Sequence, residues 1–351
     1  MKEYISLDSH KRYSIIEREG CASREAVQCR IGHSPGSIRQ YLCQCEPGTP
    51  VAVEAVGNWY WIVQEIEDAQ QVPQLVHPRK AKLMMGMINK TDKLDVHGLN
   101  RLQRNGTLPT VWIAPGELRD LRELTRTRIT VAHQRTRLKN RISSTFSKYG
   151  LTLEEYSDMY GKKAREELNK LLDQLPPQTK YVTEALLQQL DFIEKQIEGM
   201  EKRLQELVKI TPAIQLLMTL PGVGFILATT IAWEIGEINR FACAPRLAAY
   251  AGTTPRVHAS GDKIRYGQMR SDVNHYLKWA FAEAGNSVAL HAKRMPTRHV
   301  SQLYQRIRER KGHAKAVGAV SRHLAEAAFY ILSKQEPYKD PASERSSSRE
   351  V

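Results

Sequence analysis

The chain has 351 residues, enough for two or three domains at roughly 100–200 residues each. With 41% hydrophobic and 26% charged residues, its composition excludes a disordered or collagen-like chain. A formal net charge of +14 points to a polyanionic partner, either nucleic acid or an acidic membrane surface.

The N-terminus carries Glu3, Asp8 and Glu17 and has no apolar signal region. Export is therefore not expected, and the chain reads as cytoplasmic. Residues 4–8, Tyr-Ile-Ser-Leu-Asp, predict a short strand ending in an acid. Residues 13–16 and 26–31 are candidates for the next two strands of a meander. Ser37 to Cys45 reads as a helix, and Val51 to Glu54 as a compact strand with an acid near its end. Gln74 to His77 is another short strand candidate. Lys80 to Arg104 has helical composition, and Thr110 to Ile113 is expected as a last strand before Pro115. Strands alternating with helices over residues 1–116 imply a mixed α/β sheet with helices on its faces. Of the five cysteines, Cys43 and Cys45 are too close for a zinc finger and no His pair follows them. Free thiols in a reducing compartment are expected.

From residue 117 to 210 the pattern changes to long helices. Leu121, Leu124, Arg128, Val131, Arg135, Leu138 and Ile142 step by three and four, and two of these positions are Arg. Leu186, Leu190, Ile193, Ile197, Met200, Leu204 and Leu207 form a sustained heptad stripe. A coiled coil follows, either an antiparallel pair within the chain or a seam between chains. Residues 211–334 form a third, mainly helical region. Its one long apolar run, Phe225 to Ile235, is far shorter than the roughly 20 residues of a membrane-spanning helix. No membrane partner is expected. Before that run, Leu220-Pro-Gly-Val-Gly224 resembles a helix-hairpin-helix turn, in which the backbone N–H groups of Gly222 and Gly224 approach a phosphate. A plain interhelical turn is the competing reading. The Ser-, Pro- and charge-rich stretch 335–351 reads as a disordered tail.

The positive charge is concentrated. Residues 253–323 hold 14 basic and 4 acidic side chains, so most of the excess lies in one segment. That distribution suits phosphate neutralisation with counterion release. Within it, Arg256, Lys263, Arg265, Arg270 and Lys278 are candidates for nucleic-acid contact.

Two sets of residues carry a chemical signal. Asp8 and Glu54 end strands that are neighbours in an RNase H-like sheet, and Asp92 and Asp95 share one face of a later helix. Converging carboxylates repel unless cations neutralise them, and oxygen ligands beside phosphates suit Mg²⁺. Two such ions about 3.5–4 Å apart can serve phosphoryl transfer. Ser260 lies in a Ser-Gly-Asp turn between two short strands, flanked by Arg256, Lys263 and Arg265. A serine there is ordinarily structural. As a nucleophile it would need cations around the phosphoryl oxygens and help in losing its proton.

Together these pieces resemble a known family. Ile5-Ser-Leu-Asp8-Ser-His-Lys11, Val51-Ala-Val-Glu54-Ala and Lys90-Thr-Asp92-Lys-Leu-Asp95 resemble the DEDD tetrad of the insertion-sequence 110 transposases, described as bridge-RNA-guided serine recombinases. Leu220-Pro-Gly-Val-Gly224, Glu234-Ile-Gly-Glu-Ile-Asn-Arg-Phe241, Leu247-Ala-Ala-Tyr-Ala-Gly252 and Ser260-Gly261 extend the resemblance to about residue 332. It implies an RNase H-like (resolvase-like) domain, a coiled-coil connection and a C-terminal transposase domain. It further implies that Asp8, Glu54, Asp92 and Asp95 hold Mg²⁺ and that Ser260 becomes covalently linked to DNA. The implied partners are donor and target DNA, a structured bridge RNA, and other copies of the chain in a dimer or tetramer. Arg126, Arg128, Arg135, Arg137, Lys139 and Arg141, on one long helix, are the expected RNA contacts. The chain departs from the family at Arg270-Ser-Asp-Val-Asn274 and Tyr276-Leu277-Lys278, where Lys-x-Gly-Asn and Leu-Arg are usual. On the residues alone two other functions stay open. One is a metal-dependent junction-resolving endonuclease in which water attacks; the other is a non-catalytic nucleic-acid scaffold.

Overall fold

Alternation along the first strand organises the first half of the chain. A computed structural model describes residues 3–86, 91–153, 155–156, 158–208, 211–261 and 263–341, which fall into two compact units, Met1–Ala114 and Pro115–Val351. In the first unit β1 (Glu3–Ser9), β2 (Tyr13–Gly20) and β3 (Ala26–Gly32) form an antiparallel meander. After α1 (Ser37–Leu42), β4 (Pro50–Glu54) pairs parallel with β1. After α2 (Trp59–Asp68), β5 (Val72–Val76) pairs parallel with β4. The sheet order is β3-β2-β1-β4-β5. α3 (Pro78–Met85) and α4 (Asp92–Arg104) follow.

Because strand side chains alternate between faces, Ile5, Leu7, Val51 and Val53 turn one way, onto Ile38 and Leu42 of α1 and Ile62 and Ile66 of α2. Ala52 and Val76 turn the other way, under Ala81 of α3 and Leu99 and Leu102 of α4. On that second face Ser6 Oγ donates to Val96 O at 2.9 Å. The result is a mixed five-stranded RNase H-like sheet covered by helices.

Local details differ from the sequence expectations. Lys80 to Arg104 is two helices, with Gly86 closing α3 in the left-handed region at φ +61° and Thr91 capping α4. Lys90 of the third motif lies outside the described residues. Thr110 to Ile113 is no strand. Thr110 makes a single bridge to Val76, and Val111 N donates to Leu75 O at 2.8 Å. Prolines at 109 and 115 bracket the segment, and proline cannot donate to a ladder. α2 was not anticipated, although its buried Ile62, Val63 and Ile66 have helical spacing.

The second unit is mainly helical: α5 (Gly116–Lys148), α6 (Lys162–Leu172), α7 (Pro177–Leu207), α8 (Pro212–Leu217), α9 (Phe225–Ile235) and α10 (Ala244–Tyr250). A hairpin of β6 (Pro255–Ser260) and β7 (Lys263–Met269) follows, then α11 (His275–His291), α12 (His299–Lys311) and α13 (His313–Lys334). The heptad stripe of α7 finds its partner inside the chain. Ile193 and Ile197 meet Val131 and Ala132 of α5, while Leu187 and Leu190 meet Ile142 and Phe146. That order makes the pair antiparallel. The largest core, with Leu217, Ile231, Leu247, Phe281 and Leu324 at its centre, joins α8 to α13.

Two segments have packing partners that the sequence does not announce. Gly222, in the turn between α8 and α9, has φ +79°, and a Cβ there would sit 2.4 Å from the carbonyl oxygen of Ala284. Glycine is thus required by the close approach of α11, a packing reason that needs no phosphate. The stretch from Gln335, expected to be disordered, is structured as far as Pro341. Tyr338 N donates to Thr219 Oγ1 at 2.8 Å, and Asp340 accepts from His299 N at 3.1 Å. Residues 342–351 lie outside the described residues. Among the described residues no helix is long and apolar enough to cross a membrane.

Gly222→Ala should lower unfolding stability by about 2 kcal/mol or more, since it combines a left-handed backbone with a backbone clash. Gly224→Ala, with open space around its Cβ position, should cost less than about 1 kcal/mol. Urea denaturation of both variants checks the contrast.

Candidate active site

At the end of β1 the register with β4 pairs Leu7 with Val53. The next residues, Asp8 and Glu54, therefore end adjacent parallel strands side by side. Asp92 and Asp95 occupy the first turn of α4, where Thr91 Oγ1 accepts from Leu94 N at 3.3 Å. The positive end of a helix dipole favours acids at that position.

What delivers α4 to this edge is a row of polar contacts along its buried side. His97 Nδ1 lies 3.0 Å from Glu17 Oε1, and Asn100 Nδ2 donates to Tyr4 O at 3.2 Å. Gln103 Nε2 donates to Pro50 O at 3.0 Å, and Arg104 pairs with Glu19. Glu17 and Glu19 are both buried on the sheet. Each contact satisfies a polar group that would be costly to bury alone, so the helix has one register on the strands.

The centre of the site is His10, a residue of the first motif whose role the sequence alone does not show. Its Nε2 lies 3.3 Å from Asp8 Oδ2 and 3.1 Å from Asp92 Oδ2. Ligand atoms of Asp8, His10 and Asp92 all lie within 4.8 Å of one another. Tyr13 donates to Asp92 Oδ2 at 3.0 Å, a bond that holds the phenol above its ordinary pKa. The His10 ring rests on Tyr13 at 4.6 Å between centroids, and Asn58 Nδ2 donates to His10 O at 3.0 Å. The structure thus brings Asp8 and Asp92 together about His10. Glu54 stands one strand over from Asp8, and Asp95 stands one helical turn from Asp92.

These residues fit a divalent cation. His10 Nε2 is buried and makes no hydrogen bond, although two carboxylates face it. Three lone-pair donors converging on one point are the donor set of a metal, and the Asp-x-His spacing was the signal available in the sequence.

In the second unit Ser260 ends β6 and pairs with Lys263 across the turn, where Gly261 has φ +57°. Asp262 lies outside the described residues. Asn274 N donates to Tyr250 O at 2.9 Å, so the hairpin is an excursion closed at its base. Register puts Ser260, Lys263, His258 and Arg265 on one face, and Val257, Ala259, Ile264 and Tyr266 on the other. Ser260, Arg256, Lys263 and Arg265 are exposed to solvent.

Several cations assigned to nucleic acid have partners within the chain. Arg126 makes a two-pronged pair with Glu234 at 2.6 and 2.9 Å, and Glu234 is fully buried. Arg122 donates to the carbonyls of Trp233 and Glu234 at 2.8 and 3.0 Å, and its burial pulls its pKa down. Asn274 Nδ2 donates to the same carboxylate at 2.8 Å, while its Oδ1 caps α11. Asn274 therefore has a defined role despite the altered motif around it. Arg128 pairs with Glu201 at 2.5 Å, Lys139 with Glu194 at 3.4 Å, and Arg270 with Asp272 at 2.6 Å. Lys278 is half-buried beside Gly252. Arg135 and Arg137, with His133, Gly222 and Trp279, line an open groove of about 730 Å³. Arg141 is exposed farther along α5.

Arg126→Ala should destabilise the protein by about 3 kcal/mol, because it strands part of a buried carboxylate's pairing. Arg137→Ala, on the exposed side of the same helix, should leave the denaturation midpoint unchanged. Thermal unfolding of the two variants separates a structural arginine from a surface one.

Comparison with known proteins converges on one family. A model described as Transposase IS116/IS110/IS902 family matches residues 214–301, which include the turn at Gly222 and Ser260. A DEDD transposase model of the IS110 type matches residues 30–150, which include Glu54, Asp92 and Asp95. The chain is 26% identical, over 82% of its length and 79% of the relative's, to the transposase for insertion sequence element IS1111A of Coxiella burnetii. It is 23% identical to a probable family 20 transposase of Pseudomonas aeruginosa, over 95% of this chain and 98% of that one. A 145-residue stretch is 32% identical to the mini-circle putative transposase for IS117 of Streptomyces coelicolor, covering 40% and 32% of the two chains. With a DEDD-type sheet domain before a helical region carrying the second family match, the chain belongs to the IS116/IS110/IS902 family of transposases, phosphoryl-transfer enzymes that act on DNA.

Proposed function

We propose that this transposase moves its own mobile element by cutting and rejoining DNA through a serine–DNA intermediate, guided by a structured RNA. The observation that supports the reading best is the convergence of Asp8 and Asp92 on the buried Nε2 of His10. Asp8, Glu54, Asp92 and Asp95 would hold Mg²⁺, which when bound supplies charge neutralisation for phosphoryl transfer.

The remaining roles belong to the chain's own side chains. Ser260 Oγ attacks the scissile phosphorus, forming a serine–phosphate ester as one P–O bond to deoxyribose breaks and its oxygen leaves as a hydroxyl. Lys263 and Arg265 share the hairpin face of Ser260, and with Arg256 they neutralise the phosphoryl oxygens. Rejoining reverses the step, with a strand hydroxyl displacing the serine. Residues 1–116 act as the metal-holding domain and 211–334 as the domain that carries the nucleophile.

In this reading the exposed cations of α5, Arg137 and Arg141 foremost, contact the bridge RNA, and Arg135 contributes from the groove. The enzyme works as a dimer or tetramer. The α7 stripe pairs with α5 in the same chain, so subunits join through other surfaces.

Asp8→Asn and Asp92→Asn should each lower strand cleavage by at least about 10²–10³-fold in a Mg²⁺-dependent assay. Ser260→Ala should remove the covalent protein–DNA band on a denaturing gel while leaving RNA binding intact. A band that persists in Ser260→Ala removes Ser260 from its role. Cleavage with free ends and no band in the unmodified protein favours attack by water instead.

A further inference from the structure

Resting on the reading of Asp8 and Asp92 as cation ligands, we propose that His10 is a third protein ligand and that its nitrogen biases the site toward Mn²⁺ over Mg²⁺. The His10 imidazole has an unmet requirement. Nε2 is buried without a hydrogen bond, yet Asp8 Oδ2 and Asp92 Oδ2 stand 3.3 and 3.1 Å away. An imidazole placed for structure donates its N–H along a good line to one acceptor, as His97 faces Glu17 at 3.0 Å on the same sheet face. His10 stands within ion-pair distance of two carboxylates and has hydrogen-bond geometry to neither.

The separations suit ligands of one ion. Two donors at about 2.1 Å from a cation and at right angles to each other lie about 3 Å apart. The ring is also braced from outside. Tyr13 lies against it and bonds Asp92, the Arg30 guanidinium sits 3.8 Å from the Tyr13 ring centre, and Asn58 holds the His10 carbonyl. Partners of this kind fix the orientation of metal ligands.

Chemistry then sets the preference. Mg²⁺ takes oxygen ligands and keeps several waters; Mn²⁺ shares that taste for carboxylates but, as a first-row transition metal, also accepts an imidazole nitrogen beside them. Two carboxylates without His10 would be an oxygen site. With His10 the site gains a donor that Mn²⁺ uses and Mg²⁺ seldom does.

The test uses the full chain and Mn²⁺ alone. Bound Mn²⁺ is examined by electron spin-echo modulation, and affinities for Mn²⁺, and for Mg²⁺ by competition, are read from the free-Mn²⁺ resonance signal. The expected result is nitrogen modulation of the ¹⁴N type that changes to the ¹⁵N pattern when histidine is labelled, and that is lost in His10→Gln. His10→Gln should weaken Mn²⁺ binding by about tenfold or more and Mg²⁺ binding by less than about threefold. Bound Mn²⁺ with no nitrogen modulation in the unmodified protein overturns the assignment of His10 and leaves the carboxylate site standing. Binding that is absent, or indifferent to Asp92→Asn, overturns the reading of the acids as well. The principal readout comes from the unmodified protein, so poor folding of a variant does not obscure it.

Discussion

Like-charged carboxylates do not gather unless a scaffold compels them, since each disfavours ionisation of the next. Here the compulsion is the seat of α4 on the sheet. Val96 and Leu99 give the helix an apolar footing, and His97, Asn100, Gln103 and Arg104 bond to fixed points on β1, β2 and β4. Apolar contacts are non-directional and leave a helix free to slide or roll on a sheet. One held by directional bonds at four positions over two turns cannot, and its first turn arrives above the end of β1. The position of Asp92 is thus a consequence of residues up to twelve positions farther along the same helix. His10 and Tyr13 complete the arrangement from the strand side.

The second unit shows the same principle with opposite sign. Glu234 is buried among Arg122, Arg126 and Asn274, and through Asn274 it reaches the N-terminus of α11. A buried charge of this kind adds little net stability, yet breaking it is costly, so it specifies one arrangement of α5, α9 and α11. The hairpin that carries Ser260 leaves the bundle between Tyr250 and Asn274, whose backbones are bonded to each other. Its base is consequently fixed while its two faces stay open to solvent.

Much of this was legible in the sequence because it is local. Alternation in residues 4–8 identifies β1 and its acid, and the three-residue spacing of Asp92 and Asp95 puts both on one helical face. The turn signals around Ser260 give the hairpin. What was illegible depends on contacts between distant residues. Arg126 reads as a surface cation on a basic helix, and only the fold brings it to a glutamate 108 residues away. Periodicity reveals the stripe on α7 but not that its partner is α5. Composition marks the segment after Gln335 as disordered, because nothing nearby in sequence announces Thr219 and the α12 backbone as its partners. His10 was missed for another reason: a lone histidine beside an acid is common, and its meaning appears only when Asp92 arrives from the far side.

If Asp8, Glu54, Asp92 and Asp95 form one cation site, a single ion should lie among them. Anomalous diffraction from crystals soaked in Mn²⁺ tests it most directly. A peak is expected within about 2.0–2.3 Å of carboxylate oxygens of both Asp8 and Asp92, with Glu54 and Asp95 around it. A peak elsewhere, with Asp8 and Asp92 in contact with no ion, would contradict it.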